Sequence, residues 1–299
     1  SEAVAARRPN RIKNNRNSTM PELFREDQKI SGKDGVSFWA TDEISIDDIV
    51  AIFPVLPDPS SESIPRGAKL LKRARQRLVY QTAASGLPGN KAVVKMFPLK
   101  NPISRLKHRK YARREFINYQ KARDKNVPVP RVYGYIEKRH FGFVTGSGII
   151  IEWLEGQRDL LDIASNSPEG YACAAKLGIP ALVGLYNAGA MHIDARDENI
   201  FLSSQDSSAE VCLIDWQYAG FHPSRSEWML EHLAAYYIRN APTVERGALC
   251  GDWLTELHKQ AEHEIEFKIF SKRVEVLLSA RQSVRARLKL RPAKMDKAI

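Results

Sequence analysis

Hydrophobic and polar positions divide the chain into two unlike halves. Residues 1–35 are polar and rich in Asn, Lys and Arg with little periodicity, which predicts a mobile basic arm. Val36–Leu56 mixes aromatic and aliphatic residues with acids and is expected to be an ordered extension. Pro54, Pro57 and Pro59 punctuate its end, and Asp58–Pro65 reads as a turn-rich linker. Lys69–Thr82 alternates and predicts two strands or a hairpin. The stretch from Ser85 to Asn90 is a turn, and Lys91–Phe97 a short strand. Ala112, Phe116, Tyr119 and Ala122 recur at helical spacing, which predicts a helix over Lys110–Lys125, stopped by the two prolines of Val127–Pro130. Arg131–Ile136 and Gly148–Trp153 read as strands separated by a Gly-rich turn. From about Asp159 the pattern is mostly helical, broken at Ala190–Asp215, with long periodic runs at Ser226–Ile238 and Trp253–Leu278. No internal repeat is visible. The expected class is α+β, with a β-rich first half and a helical second half.

Composition narrows the classes. With 299 residues, 43% of them hydrophobic, the chain can bury a sizeable core. Its densest apolar stretches, Gly148–Leu154 and Ala181–Ile193, are too short or interrupted to span a bilayer, which takes roughly 20 apolar residues. The N-terminus shows no apolar core of a secretory signal. Cys173, Cys212 and Cys250 are odd in number and far apart, which argues against a disulfide framework or a CxxC zinc site and fits a reducing, cytoplasmic compartment. The histidines share no ligand spacing.

The formal charge of +11 is unevenly spread. Residues 1–17 are net +4, 66–77 net +6, 100–125 net +8 and 281–299 net +6, so the remainder is acidic. Aromatic residues are not interleaved with these windows, which disfavours nucleic acid as a partner. An anionic membrane surface is open to the basic tails by electrostatic adhesion alone, since Val284 and Leu288 are too few to insert strongly.

Three pieces carry candidate chemistry. The first is a strand, Ala92-Val93-Val94-Lys95, followed 20 residues later by Glu115 on the expected helix. The second runs from His192 through Asp194 and Arg196 to Asn199. The third is an apolar strand ending in Asp215-Trp216. Phosphoryl transfer needs a fixed cation for phosphates, oxygen ligands for Mg²⁺ and a carboxylate aimed at the acceptor hydroxyl. Singly, each piece is also compatible with a solvated lysine, a surface ion pair or a turn aspartate; their joint order is what is specific.

In that order, H-x-D-x-x-x-x-N followed by a strand-end Asp, the chain resembles protein-kinase-like phosphotransferases over roughly residues 66–238. The resemblance implies a two-lobed protein-kinase-like fold: an N-lobe over 36–152 with an N-terminal extension, and a helical C-lobe over 153–299 ending in a basic tail. It implies ATP and Mg²⁺ as cofactors. Lys95 would hold the phosphates with Glu115 as its ion-pair partner. Asp194 would be the catalytic base, Asn199 and Asp215 the metal ligands, His192 the loop-stabilising histidine, and Arg196 a contact to the transferred phosphate. Residues 151–154, including Glu152 and Leu154, would form the hinge whose main chain binds adenine.

Departures from the pattern narrow the class. No Gly-rich loop precedes Lys95. The hairpin there carries Lys72, Arg73, Arg75 and Arg77, facing either the phosphates or solvent. Asp215 is followed by Trp216-Gln217, and only about ten residues separate it from the next helical run, leaving no room for a long activation segment. This is similar to the small-molecule branch, the aminoglycoside and choline phosphotransferases, and most of all, through the segment 101–135, to the lipopolysaccharide (Kdo/heptose) kinases. That resemblance implies an anionic sugar or lipopolysaccharide acceptor and a place in the cytoplasm, peripheral to the inner membrane. The variant Ala195-Arg196-Asp197-Glu198 fits neither small-molecule branch well. It keeps a protein acceptor open, and with it an atypical serine/threonine kinase; a non-catalytic nucleotide-binding module is a third reading, opposed by the intact Lys95, Asp194, Asn199 and Asp215. Trp228, Tyr236 and Tyr237, near helical spacing, are expected in the core.

Overall fold

A computed structural model describes residues 29–31, 33–41, 44, 58–74, 77–84, 87–167, 169–203, 209–280 and 283–291. Most of the N-terminal arm, Arg75 and the last eight residues lie outside the described residues.

The first half builds one antiparallel sheet of seven strands: β1 (Lys29–Ser31), β2 (Val36–Ala40), β3 (Lys69–Ala74), β4 (Arg77–Ala83), β5 (Lys91–Pro98), β6 (Val132–His140) and β7 (Phe143–Glu152), in the order β1-β2-β6-β7-β5-β4-β3. The end of the expected mobile arm therefore joins the sheet, with Lys29 opposite Trp39. Alternation along β5 separates two cores. Ala92, Val94 and Met96 pack with Phe38, Leu78, Tyr80, Ile136 and Ile150 on the outer face. Val93, Lys95 and Phe97 fall on the inner face, towards helix α2 (Tyr111–Asp124) and the second half.

Strands β6 and β7 are longer than their sequence predicts, because most of the expected turn between Ile136 and Gly148 is strand, with Gly146 inside β7. A Cβ on Gly146 would stand 2.3 Å from the carbonyl carbon of Pro59, and one on Gly148 2.9 Å from the carbonyl oxygen of Lys95. Close packing, not a turn, selects glycine there.

A short helix α1 (Pro102–His108), absent from the expected elements, precedes α2 and is opened by a capping box between Asn101 and Ser104. The second half is helical: α3 (Leu160–Ser165), α4 (Tyr171–Ala175), α5 (Ile179–Ala188), α6 (Met229–Asn240), α7 (Leu254–Gln260), α8 (Phe267–Ser279) and α9 (Val284–Leu288). The long run Trp253–Leu278 is two helices, interrupted over 261–266. Short strands at Ala190–His192, Ile200–Leu202 and Val211–Leu213 occupy the expected break.

Part of the supposed basic C-terminal tail is docked. The His222 ring bonds the carbonyl of Leu288 at 2.9 Å, the His232 ring bonds that of Arg291 at 3.0 Å, and Arg287 donates to the carbonyl of Ile193 at 2.9 Å. The architecture is a two-lobed kinase-like fold, with a β-sheet lobe and a helical lobe around one cleft.

Candidate active site

The cleft has a volume of about 410 Å³ and is walled by Val79, Val93, Ile151, Trp153, Leu154 and Phe201 among others, with Lys95, Glu115, Asn199 and Asp215 at its polar end. Lys95 reaches it because the odd-numbered positions of β5 face inward. Its ammonium donates to Glu115 Oε1 at 2.7 Å and to Asp215 Oδ1 at 2.8 Å. Glu115 comes from the buried face of α2, four residues before Tyr119. Burial pushes its carboxyl up to about 7, against the opposing pull of Lys95. Asp215 is half-buried, and the charges of Lys95 and Arg77 outweigh its desolvation and hold its carboxyl well below the usual range.

Arg77 donates to Asp215 Oδ2 at 3.1 Å, and Lys72 lines the same cleft, whereas Arg73 turns away to the carbonyl of Glu62. The hairpin cations thus split between the two orientations left open above.

The backbone at Asp215 is left-handed, with φ of 64°. Its neighbours hold it there. The amide of Asp215 donates to the Tyr119 hydroxyl at 3.1 Å, Asn118 donates to the carbonyl of Trp216 at 2.8 Å, and the Trp216 indole donates to the carbonyl of Leu213. Trp216 is fully buried, edge-on to His192 and stacked near Phe221. An aromatic after the aspartate therefore serves as an anchor.

His192 is buried, and burial lowers its pKa, so it sits neutral. One ring nitrogen accepts the amide of Asp194 at 3.2 Å, so the other donates to the carbonyl of Ile214 at 3.0 Å, tying two loops together. The Asn199 amide nitrogen donates to the carbonyl of Asp194 at 2.8 Å, which turns its oxygen the other way. Asp194 Oδ1 accepts from the Tyr236 hydroxyl at 2.6 Å and lies 3.5 Å from Arg196 Nε; a terminal nitrogen of Arg196 pairs with Glu198 at 2.7 Å. Arg287 stacks on the Tyr236 ring at 4.4 Å. Glu152 ends β7, its carboxylate accepting the amide of Arg131, and Leu154 lies just beyond it on the cleft wall.

Lys95, Glu115 and Asp215 are thus joined by direct ion pairs, and His192, Asp194, Arg196 and Asn199 share one loop. The functional residues that sequence reasoning missed are Tyr236, expected in the core, and the α2 pair Asn118 and Tyr119. Helical spacing marks Tyr119 as buried but cannot reveal a partner 96 residues away.

The donor set suits a hard cation. An amide oxygen and a carboxylate are the ligands Mg²⁺ takes when phosphate oxygens and water complete its shell. Among the described residues no group of three or more His, Cys, Asp and Glu side chains gathers to bind a metal without such help.

The Glu115–Lys95 pair has a pH signature. Below about pH 7 Glu115 takes up a proton and no longer attracts Lys95 by charge; above it the pair is ionic. The expected kcat/KM profile rises with pH through a midpoint near 7. Glu115→Gln should be slower, with that limb gone. A limb that survives in Glu115→Gln assigns the titration to another group.

A model of the lipopolysaccharide kinase (Kdo/WaaP) family matches residues 100–248. No curated protein matches the sequence. Among solved structures, WaaP in complex with acyl carrier protein is similar at 18% identity and a TM-score of 0.51, over 74% of this chain and 88% of that one. Vaccinia related kinase 3 aligns at 12% identity and a TM-score of 0.38, over 89% of this chain and 93% of its own.

Proposed function

We propose that this chain, a kinase-like phosphotransferase resembling the lipopolysaccharide kinases, transfers the γ-phosphoryl group of Mg·ATP to a hydroxyl of a lipopolysaccharide core sugar, working in the cytoplasm at the membrane face where a lipid-anchored acceptor is presented. The observation that carries the reading is the joining of Lys95, Glu115 and Asp215 across one cleft, above a loop that sets out Asp194 and Asn199.

The residues divide the work. Adenine is received between the walls Val79, Val93 and Leu154, against the main chain of 152–154. Lys95, oriented by Glu115, holds phosphate oxygens, and Lys72 and Arg77 supply charge where a Gly-rich loop would offer amides. Asn199 and Asp215 would hold Mg²⁺, which supplies charge neutralisation along the phosphates. Asp194 takes the acceptor proton as the acceptor oxygen bonds to the γ-phosphorus and the bond to the bridging oxygen breaks, releasing ADP. Arg196, held near Asp194, stands beside the transferred group. Of the basic windows flanking β5, Lys72 and Arg77 line the cleft and suit an acceptor that already carries negative charge.

The test is ATP turnover over three acceptor classes, with mass gain as readout: lipopolysaccharide core fragments, small aminoalcohols and protein substrates. A phosphoryl group added to the core sugar, with the other two unmodified, is the expected outcome. Phosphorylated protein and an unmodified core would move the assignment to the second reading, a protein kinase, which Arg196 favours and the short segment after Asp215 opposes.

A further inference from the structure

A second surface feature lies on the sheet lobe, on the side of α2 turned away from Lys95. Arg113 and Glu115 are two residues apart on α2 and so about 200° apart around its axis. Glu115 faces the cleft, while Arg113 lines a separate groove of about 560 Å³ between α1 and the turn joining β6 to β7.

Both rims of that groove expose large apolar side chains. On α1, Ile103 and Leu106 are 66% and 72% exposed, three residues apart and so on one face. At the hairpin tip Phe141 is 88% and Phe143 68% exposed. Phe141 also sits at a φ of 47°, a left-handed position that bulky residues rarely occupy and that a hairpin turn normally gives to Asn or Gly. Its ring meets His140 but no core. Folding alone gives no reason for an aromatic there.

The charge around these residues has one sign. Arg105, Arg109, Lys110, Arg113 and Arg139 line the groove against a single acid, Glu137, which is already paired with Arg139. Apolar groups and cations thus share one exposed face, Arg109, Lys110 and Arg139 being exposed beside Ile103, Leu106, Phe141 and Phe143. Exposed apolar tips among long cationic side chains of one sign match the boundary between acyl chains and anionic headgroups.

We propose that α1 and the β6–β7 turn form the surface by which this kinase docks on an anionic lipid bilayer, with Leu106 and Phe141 inserting at the interface. This deepens the proposed function by naming the face that meets the lipid, and it rests on that reading only for its purpose: vesicle binding needs no turnover, so either can fail alone.

The full chain is mixed with vesicles of phosphatidylcholine, alone or with phosphatidylglycerol, and sedimented. The expected result is binding to the anionic vesicles only, weakened by salt. Leu106→Asp combined with Phe141→Asp should lower the affinity about tenfold or more, and so should Arg109→Glu combined with Lys110→Glu. All four positions are exposed and outside the cleft, so both variants should keep the wild-type thermal shift with Mg·ATP. Wild-type protein that ignores anionic vesicles overturns the proposal. So does undiminished binding by both variants, which would assign adhesion to the basic termini. Groove-dependent capture of an acidic soluble protein without vesicle binding overturns it as well.

Discussion

Replacing Asp194 by alanine is expected to lower kcat by about 10²–10⁴-fold, the range for losing a positioned proton acceptor. Nucleotide binding should survive. Asp194 stands with Tyr236 and Arg196 rather than with Lys95 or Asp215, so the thermal shift given by Mg·ATP should match that of the wild type. Tyr236→Phe tests the same carboxylate more gently. It removes one hydrogen bond of 2.6 Å and leaves the ring under Arg287, so it should reduce kcat about tenfold or less. The order of effects matters: a Tyr236→Phe variant slower than Asp194→Ala would mean that Asp194 is not the group that receives the proton. Full activity of Asp194→Ala on any accepted substrate would remove it from the chemistry altogether.

Asp215 should behave differently. Its substitution is expected to abolish both turnover and the Mg·ATP-induced thermal shift, with kcat/KM down by about 10³-fold or more, the loss expected when a bound cation no longer neutralises transferring phosphates. Asparagine is the informative replacement. It removes the charge, and it accepts the left-handed backbone at φ 64°, where alanine would add about 1–2 kcal/mol of strain. The fold should tolerate the loss. Lys95 keeps Glu115 at 2.7 Å, and Arg77, about a fifth exposed, can turn to solvent. Asp215→Asn that still gains stability from Mg·ATP as the wild type does would take Asp215 out of the metal site. Measured together, the two substitutions separate binding from chemistry.

The parts of this site that could be read from the sequence are those set by local periodicity. Alternation along β5 places Lys95 and the 3.6-residue repeat of α2 places Glu115, so strand, helix and their shared interior were legible without coordinates. The loop from His192 to Asn199 is legible because its members lie within eight residues. What periodicity cannot carry is identity of partner. Tyr236 sits in a run with an apolar face and reads as core, yet its hydroxyl ends on Asp194, 42 residues away. Gly146 reads as part of a turn because the close approach of Pro59 that selects glycine there is tertiary. Arg77 was one cation among four in its hairpin until the fold brought Asp215 against it. Helix α1 escaped because its outward residues, Ile103 and Leu106, are apolar, which spoils the contrast between faces that marks a surface helix.

The docking of α9 decides where this protein can be shortened. Removing the residues after 291 leaves every described contact in place. Ending the chain before Ser283 would take away Arg287, and with it the hydrogen bond to the carbonyl of Ile193, next to Asp194, and the guanidinium over Tyr236. A trimmed protein of that kind would still hold its two lobes and its cleft, but the loop carrying Asp194 would have lost its brace from behind. For expression and crystallisation work, a boundary at the start of the basic run at 281 would therefore cut into contacts of the helical lobe.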